Sequence, residues 1–239
     1  MSKDFARQSW IGLTLAGALI AAWVALHVFA VWRLDAVGHP FTALACLLGL
    51  TWLSTGLFIV AHDAMHGSLA PAWPKINVAV GALALRLYAG FSFRRLVVKH
   101  RLHHLAPGTD DDPDFARAGP FLWYLAFMRR YFGWREFLTV TAAVIAYQWL
   151  LGDRWPYVAF WSIPSILASF QLFWFGTYLP HRPGPEPFVD RHNARSPRMS
   201  AGASLVTCFH FGGRHHEHHL FPGLPWWRLP AAPAERTRA

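Results

Sequence analysis

Four stretches of this chain are too long and too apolar to belong to an ordinary soluble domain: Ile11–Trp32, Phe41–Val60, Phe137–Leu151 and Tyr157–Leu179. A helix that crosses a bilayer needs about 20 apolar residues. The first, second and fourth stretches meet that length, and the third borrows from its flanks. Lys3 and Arg7 precede an apolar run that starts at Trp10, as in a signal peptide. The run is too long for such a peptide's apolar core and reads as a retained span. A fifth segment, Ile76–Phe93, is apolar but carries Arg86 in its middle and is followed by Arg94 and Arg95. A charge at mid-bilayer is costly, so this segment is expected as an interfacial or re-entrant helix packed on the bundle.

The expected fold class is therefore an all-α integral membrane protein of four transmembrane helices, with a histidine-rich cap holding a di-metal site. One domain covers residues 1–239, and residues 231–239 read as a frayed tail. With 54% hydrophobic and 15% charged residues, composition agrees. The net charge of +9 would suggest nucleic acid in a soluble chain. No zinc-finger spacing, helix-turn-helix pattern or free basic helix accompanies it, and topology explains it better. Four spans put the N-terminus, residues 62–136 and the tail from His181 on one side. Those regions hold 20 of the 22 Lys and Arg residues, leaving only Arg33 and Arg154 opposite. The positive-inside rule makes the rich side cytoplasmic. Cys46 and Cys208 cannot build a disulfide framework and read as small buried hydrophobes.

Of the 14 histidines, only His27 and His39 fall outside that cytoplasmic half. Three groups stand out. His62-Asp-Ala-Met-His66 continues the second span with i, i+4 spacing, which puts both rings on one helix face. His100-Arg-Leu-His103-His104 has the register i, i+3, i+4. In His215-His216-Glu217-His218-His219, the residues His215, His218 and His219 repeat that register, while His216 lies about 100° away from His215. One such group is ordinarily a solvated helix face. Three in compatible registers, delivered to one membrane face, point to metal. Neutral imidazole suits iron, copper, zinc and nickel, and eight imidazoles exceed the four ligands of one tetrahedral zinc, so two metals are expected. His181, after the fourth span, is on the same side and is either a further ligand or an interfacial histidine.

The pattern HxxxH, HxxHH, HxxHH resembles the membrane fatty acid desaturase and hydroxylase superfamily over most of the chain. Longer stretches resemble the bacterial β-carotene ketolases: Phe58-Ile-Val-Ala-His62-Asp-Ala-Met-His66-Gly-Ser-Leu-Ala-Pro, His103-His104-Leu-Ala-Pro-Gly-Thr-Asp-Asp-Asp-Pro-Asp-Phe115, Tyr131-Phe-Gly-Trp-Arg-Glu136 and Phe209-His-Phe-Gly212 before the last histidines. The resemblance implies a metal set of His62, His66, His100, His103, His104, His181, His215, His218 and His219. It implies two iron ions (Fe2+) with O2 as co-substrate, and the di-iron centre itself as the catalyst, with no separate catalytic side chain. The implied reaction takes the carbon-4 methylene of a β-ionone ring through two hydroxylations and a dehydration to a ketone. The implied setting is a bacterial inner membrane with the metal site on the cytoplasmic side. In one respect the chain departs from the family pattern. Gly213 and Arg214 both intervene between His-Phe-Gly and the last box, where one residue is usual, which puts the role of His210 in question.

Asp63, Asp111, Asp112, His192, His210 and Glu217 are candidates for orienting the ligand rings. The acidic run Asp110–Asp114 reads equally well as a solvated loop, and Asp63 and Glu217 as ordinary exposed carboxylates. Trp226 and Trp227 read as an interfacial anchor. No flavin, haem or dinucleotide motif is present, so a ferredoxin-type or reductase electron donor is expected, and the carotenoid substrate would come from the bilayer. Rival readings are a carotenoid 3-hydroxylase, a fatty acyl desaturase or an alkane hydroxylase. A histidine-rich metal transporter is more remote, because transport sites lie at mid-membrane.

Overall fold

The computed structural model describes residues 3–233, and every regular element among them is helical. In hydrocarbon each backbone N–H and C=O needs a partner inside its own segment, which a helix supplies. α1 (Lys3–Trp32) and α2 (Pro40–Met65) are each long and apolar enough to cross a membrane. They run antiparallel in close contact: a Cβ at Gly49 would lie 3.0 Å from Leu26, and one at Gly56 would lie 3.2 Å from Leu19. Pro40 opens α2, where its missing N–H removes no helical bond.

The third stretch with that capacity is Trp134–His181, 48 residues in all. Straight, it would reach about 72 Å at 1.5 Å per residue, against a hydrocarbon core of about 30 Å. It folds back instead. α6 (Trp134–Leu151) enters a 3-10 turn at Gly152–Val158, where Gly152 has φ 52°, and α7 (Ala159–Phe173) returns beside it. The Tyr147 ring stacks on Trp161 with centroids 6.1 Å apart. Arg154 pins the turn to the α1–α2 connection by donating to the carbonyls of Val31 and Leu34 at 2.7 and 2.8 Å. At the opposite end, Gln8 donates to the Ser68 carbonyl at 2.7 Å, and Arg228 to Gln8 Oε1 at 3.1 Å. The two short connections thus share one end of the bundle. The start of the chain and the segments after α2 share the other.

α3 (Pro74–Ala89) packs along α2 and meets α4 (Phe93–Leu105) at 98°. The fifth apolar segment therefore does not cross as one straight helix, and Arg86 lies exposed in its last turn. The bend sits at Gly90, whose φ of 70° caps α3 at little cost to glycine. Buried polar pairs fix the helix positions. Asn77 donates to the Ala64 carbonyl at 2.7 Å and accepts from the Ala70 N–H at 3.1 Å. Trp23 donates to Ser54 at 3.0 Å, and His27 meets the Tyr147 hydroxyl at 2.5 Å. Arg95 of α4 reaches the buried Glu136 of α6 at 2.7 Å. Cys46 and Cys208 are free and buried, as expected.

The remaining elements are α5 (Pro120–Tyr131), a π-helical turn at Trp174–Tyr178, α8 (Leu179–His181), α9 (Ala201–Cys208), α10 (His215–Leu220) and a final 3-10 turn at Trp226–Ala231. The expected tail is shorter than residues 231–239: Ala231 closes that turn and Ala232 is buried. Residues 234–239 lie outside the described residues. Trp226 turns inward rather than anchoring in the interface, with its backbone N–H on Asp63 Oδ2 at 3.1 Å.

One contact is unusually close. A Cβ at Gly12 would lie 2.1 Å from the Leu69 carbonyl oxygen. Gly12→Ala is expected to destabilise the fold by about 1–3 kcal/mol, the usual range for overpacking. Gly17→Ala, with nothing within 4 Å, should leave the fold intact. Thermal unfolding of the two variants in detergent checks both outcomes.

Candidate metal centre

Each histidine box rides on a helix end that the bundle holds in place. His62 lies in the last turn of α2 and His66 follows that helix directly. α4 carries His100, His103 and His104, α8 ends on His181, and α10 carries His215, His218 and His219. These nine residues converge in two groups. His62, His66, His100, His104 and His218 form one, and His103, His181, His215 and His219 form the other. Within each group one ring nitrogen per residue lies within 4.8 Å of all the others. The i, i+3, i+4 register explains the division. In each three-histidine box the i, i+4 pair serves one group and the i+3 residue serves the other.

The spacing fits ligands of a common ion. Nε2 of His66 is 2.7 Å from that of His100, and Nε2 of His104 is 3.1 Å from that of His218. In the second group His215 Nε2 lies 2.9 Å from His181 and 3.1 Å from His219. Two nitrogens about 2.1 Å from one ion and at right angles to each other stand about 3 Å apart. The groups adjoin, since the His104 and His219 rings stack at 4.3 Å.

Burial first, and then neighbouring imidazoles, push His66, His215, His218 and His219 well below the usual imidazole value. The rings are thus neutral bases, the form that binds metal. Nδ1 of His62, His215, His218 and His219 is buried without a hydrogen-bond partner among the described residues. An unsatisfied buried polar atom costs about 1–3 kcal/mol. The nitrogens that converge on one another are the Nε2 atoms of His215, His218 and His219, so metal bound there would offset that cost without itself pairing Nδ1. The donor set therefore fits two metal ions, and the group of five exceeds a tetrahedral zinc's four ligands.

A surrounding layer orients these rings. His103 Nδ1–H donates to both oxygens of the buried Asp112 at 3.0 Å. Asp112 also accepts from the N–H groups of Gly108 and Asp114, each at 2.8 Å. Burial pushes Asp112 up, yet the His103 bond and those N–H groups outweigh it and leave the carboxyl below its usual range. His181 Nδ1–H donates to the Asn193 carbonyl at 2.7 Å. Both arrangements leave Nε2 free to face the other histidines of the group. Asp63 is buried and sits 4.0 Å from His62 Nδ1. Glu217 is buried between Arg214, at 2.9 Å, and the Ser196 hydroxyl. The His192 ring lies 6.0 Å from His219. His216 faces away and bonds Asp190 at 2.8 Å, as its helical angle required.

Two expectations are corrected. Asp111 is exposed and bonds none of the nine histidines, because the turn that points Asp112 inward points its neighbour out. His210, at φ 70°, leaves the site and its ring lies against Trp226 at 6.3 Å. The intervening Gly213 and Arg214 leave the register of His215, His218 and His219 intact. Sequence reasoning did not single out Asp114, which is buried 3.8 Å from His103 Nδ1 and accepts from the Tyr131 hydroxyl. It also missed Asn193 and Asp190. A place in the acidic run Asp110–Asp114 was the only signal for Asp114 in the sequence.

One cavity reaches both groups. Its wall includes His62 and His100 from the first and His103 and His215 from the second, continuing along apolar side chains such as Phe58, Phe91 and Phe211. A helical, membrane-length bundle with two buried histidine groups that could each hold a metal ion, opening on a cavity with apolar walls, defines the class: a membrane-type helical protein with a candidate metal centre. The fatty acid desaturase family matches residues 38–138 and 125–238, and the chain belongs to that family. It is 63% identical over 219 residues to the β-carotene ketolase of Paracoccus sp. (strain N81106 / MBIC 01143), covering 92% of this chain and 90% of that one. Identity to the β-carotene ketolase of Paracoccus sp. (strain PC1) is 58%, covering 92% and 91%. A zeaxanthin 4-ketolase of Chlamydomonas reinhardtii is 36% identical over 245 residues, covering 92% of this chain and 52% of the relative.

Asp112→Asn keeps the shape but weakens the charge behind His103. It is expected to lower bound metal or activity about 10- to 100-fold, whereas Asp111→Asn has no effect. Metal content of the purified variants checks this. The depressed imidazoles set the pH response of metal-free protein. Their folded-state pKa values lie below the unfolded 6.5, so below about pH 6.5 the unfolded chain binds more protons. Their stabilising contribution is full above that pH and is lost as pH falls. Denaturant midpoints measured across that range should drop on the acid side.

Proposed function

We propose that this chain is a carotenoid oxygenase that converts carbon 4 of β-ionone rings to a ketone, giving echinenone and canthaxanthin from β-carotene. The observation that carries this reading is a cavity touching both histidine groups, in a chain 63% identical over most of its length to a β-carotene ketolase.

His62, His66, His100, His104 and His218 would hold one iron, and His103, His181, His215 and His219 the other. Bound there, the two irons would supply the activation of O2 that no side chain provides. The chain's own residues do the rest. Asp112 and the Asn193 carbonyl fix the His103 and His181 rings, so the ligand set is organised before substrate arrives. Phe58, Phe91, Leu172 and Phe211 give the cavity apolar walls that suit an apolar ring beside the histidine groups. Each round consumes one O2, two electrons and two protons, inserting one oxygen atom and releasing one water. The first round converts the methylene to an alcohol. The second gives a geminal diol, which loses water to leave the ketone. Electrons come from a soluble one-electron carrier of ferredoxin type or from a reductase.

The chain is read as one domain of four spans in a bacterial inner membrane, with the metal site facing the cytoplasm. The Lys and Arg asymmetry supports this orientation, and the pairing of the short connections at one end of the bundle supports the span count.

Expression in bacteria that accumulate β-carotene tests the reading, with His103→Ala as control. Pigment analysis by chromatography and mass spectrometry should find 4-keto products with the parent chain and none with the control. Unchanged β-carotene beside folded, iron-loaded protein would overturn it.

A further inference from the structure

Three hydroxyl-bearing residues other than Thr177 line the cavity wall together with the histidines, namely Tyr88, Tyr131 and Ser169, and each of their hydroxyls has a partner. Tyr88 donates to the Ser165 carbonyl at 3.3 Å. Ser169 donates to the Ile166 carbonyl and meets the Tyr124 hydroxyl, both at 2.7 Å. Tyr131 bonds Asp114. Thr177 is different. It lines the same cavity at 6% exposure, and among the described residues no hydrogen bond from its hydroxyl is found. A threonine in an α-helix ordinarily bonds the carbonyl four residues back. Thr177 sits in the π-helical turn Trp174–Tyr178, where that pattern is broken. Beside it Gly176 leaves room, since a Cβ there would meet only Cys208 Sγ at 3.8 Å.

The hydroxyl of this buried residue keeps its accessible surface on the cavity side rather than being sealed in the core, so a polar group in the cavity can bond it, and a hydrocarbon ring offers none. An oxygenated ring does. Carbon 4 must reach the metals, and the cavity that Thr177 lines is walled by four of the proposed ligands. The first oxygenation therefore leaves its alcohol in the cavity that holds the one free hydroxyl found on this wall.

We infer that Thr177 hydrogen-bonds the 4-hydroxyl of the half-oxidised ring and holds carbon 4 in position for the second oxygenation. This rests on the ketolase reading. Thr177 is thus a substrate-positioning residue that favours the ketone over release of the alcohol.

The test measures the ratio of 4-hydroxy to 4-keto product in β-carotene-accumulating cells for the parent, Thr177→Val and Thr177→Ser. Thr177→Val should raise that ratio about two- to tenfold, the range spanned by one neutral hydrogen bond, and Thr177→Ser should return it toward the parent value. A ratio equal to the parent's overturns the proposal. So does a fall in total product at constant ratio, or an effect seen only with 3-hydroxylated rings. Absence of keto product from the parent chain itself is a distinct result that sinks the ketolase reading instead.

Discussion

Nine imidazoles held within two adjoining groups cannot all carry protons, since the charges would repel at short range and burial penalises each one. Most of them persist as neutral bases, while His103 is held toward its protonated form by Asp114 and Asp112 despite burial, and imidazoles at such spacing could together hold metal. Most of the architecture follows from holding that set in place. α2 supplies two rings from its end and is the helix against which α1, α3 and α7 pack. α4 turns 98° away from α3, which carries its box across the end of the bundle. α10 lies opposite with the third box, buried along nearly its whole length. No helix supplies a complete site, so neither group forms until the bundle has assembled.

The membrane explains why such a site is built at helix ends. Metal ligands and carboxylates are costly in hydrocarbon, whereas a ring of carbon and hydrogen is costly in water. Placing the histidines just past the ends of the apolar segments satisfies the first constraint. The cavity satisfies the second by extending from the metal groups along Phe58, Phe91 and Leu172 of the helical core. Asp112, Asp114, Glu136 and Glu217 are all buried near this end, and each has a bonding partner. The polar cap is thus closed upon itself rather than open to solvent.

How much of this could be read from residues alone divides along one line. Apolar runs and the i, i+3, i+4 registers are local, so the helices and all nine clustered histidines were legible, as was the exclusion of His216 by its helical angle. Which box member serves which group was not, because it depends on how α4 and α10 face one another. The outer partners were less legible still. Asp111 and Asp112 are equivalent in sequence, and only the turn over residues 109–115 decides that Asp112 faces His103. Asn193 acts through its carbonyl, which any residue possesses, and its φ of 43° carries no compositional signature beyond asparagine's tolerance of that region. His210 looked like a site residue because of its neighbours. A left-handed backbone at Phe209 and His210 sends its ring to Trp226 instead.

The π-helical turn at Trp174–Tyr178 shows how one residue can settle such a question. The buried face of α7 runs through Trp161, Ser165, Ala168 and Leu172 at helical spacing. An unbroken α-helix would continue that face through positions 176 and 179, and both Thr177 and His181 would fall roughly 100° or more from it. A π turn inserts one extra residue. The face then passes from Leu172 to Thr177, five residues on, and to His181 after four more. One local change of pitch therefore aims a hydroxyl at the cavity and an imidazole at the second histidine group. The apolar run in which it sits gives no hint of it, since hydropathy does not register a shift in helical pitch. The bulge has its cost in helical hydrogen bonding, and the alignment of Thr177 with His181 is the physical return that a regular helix through this segment would forfeit.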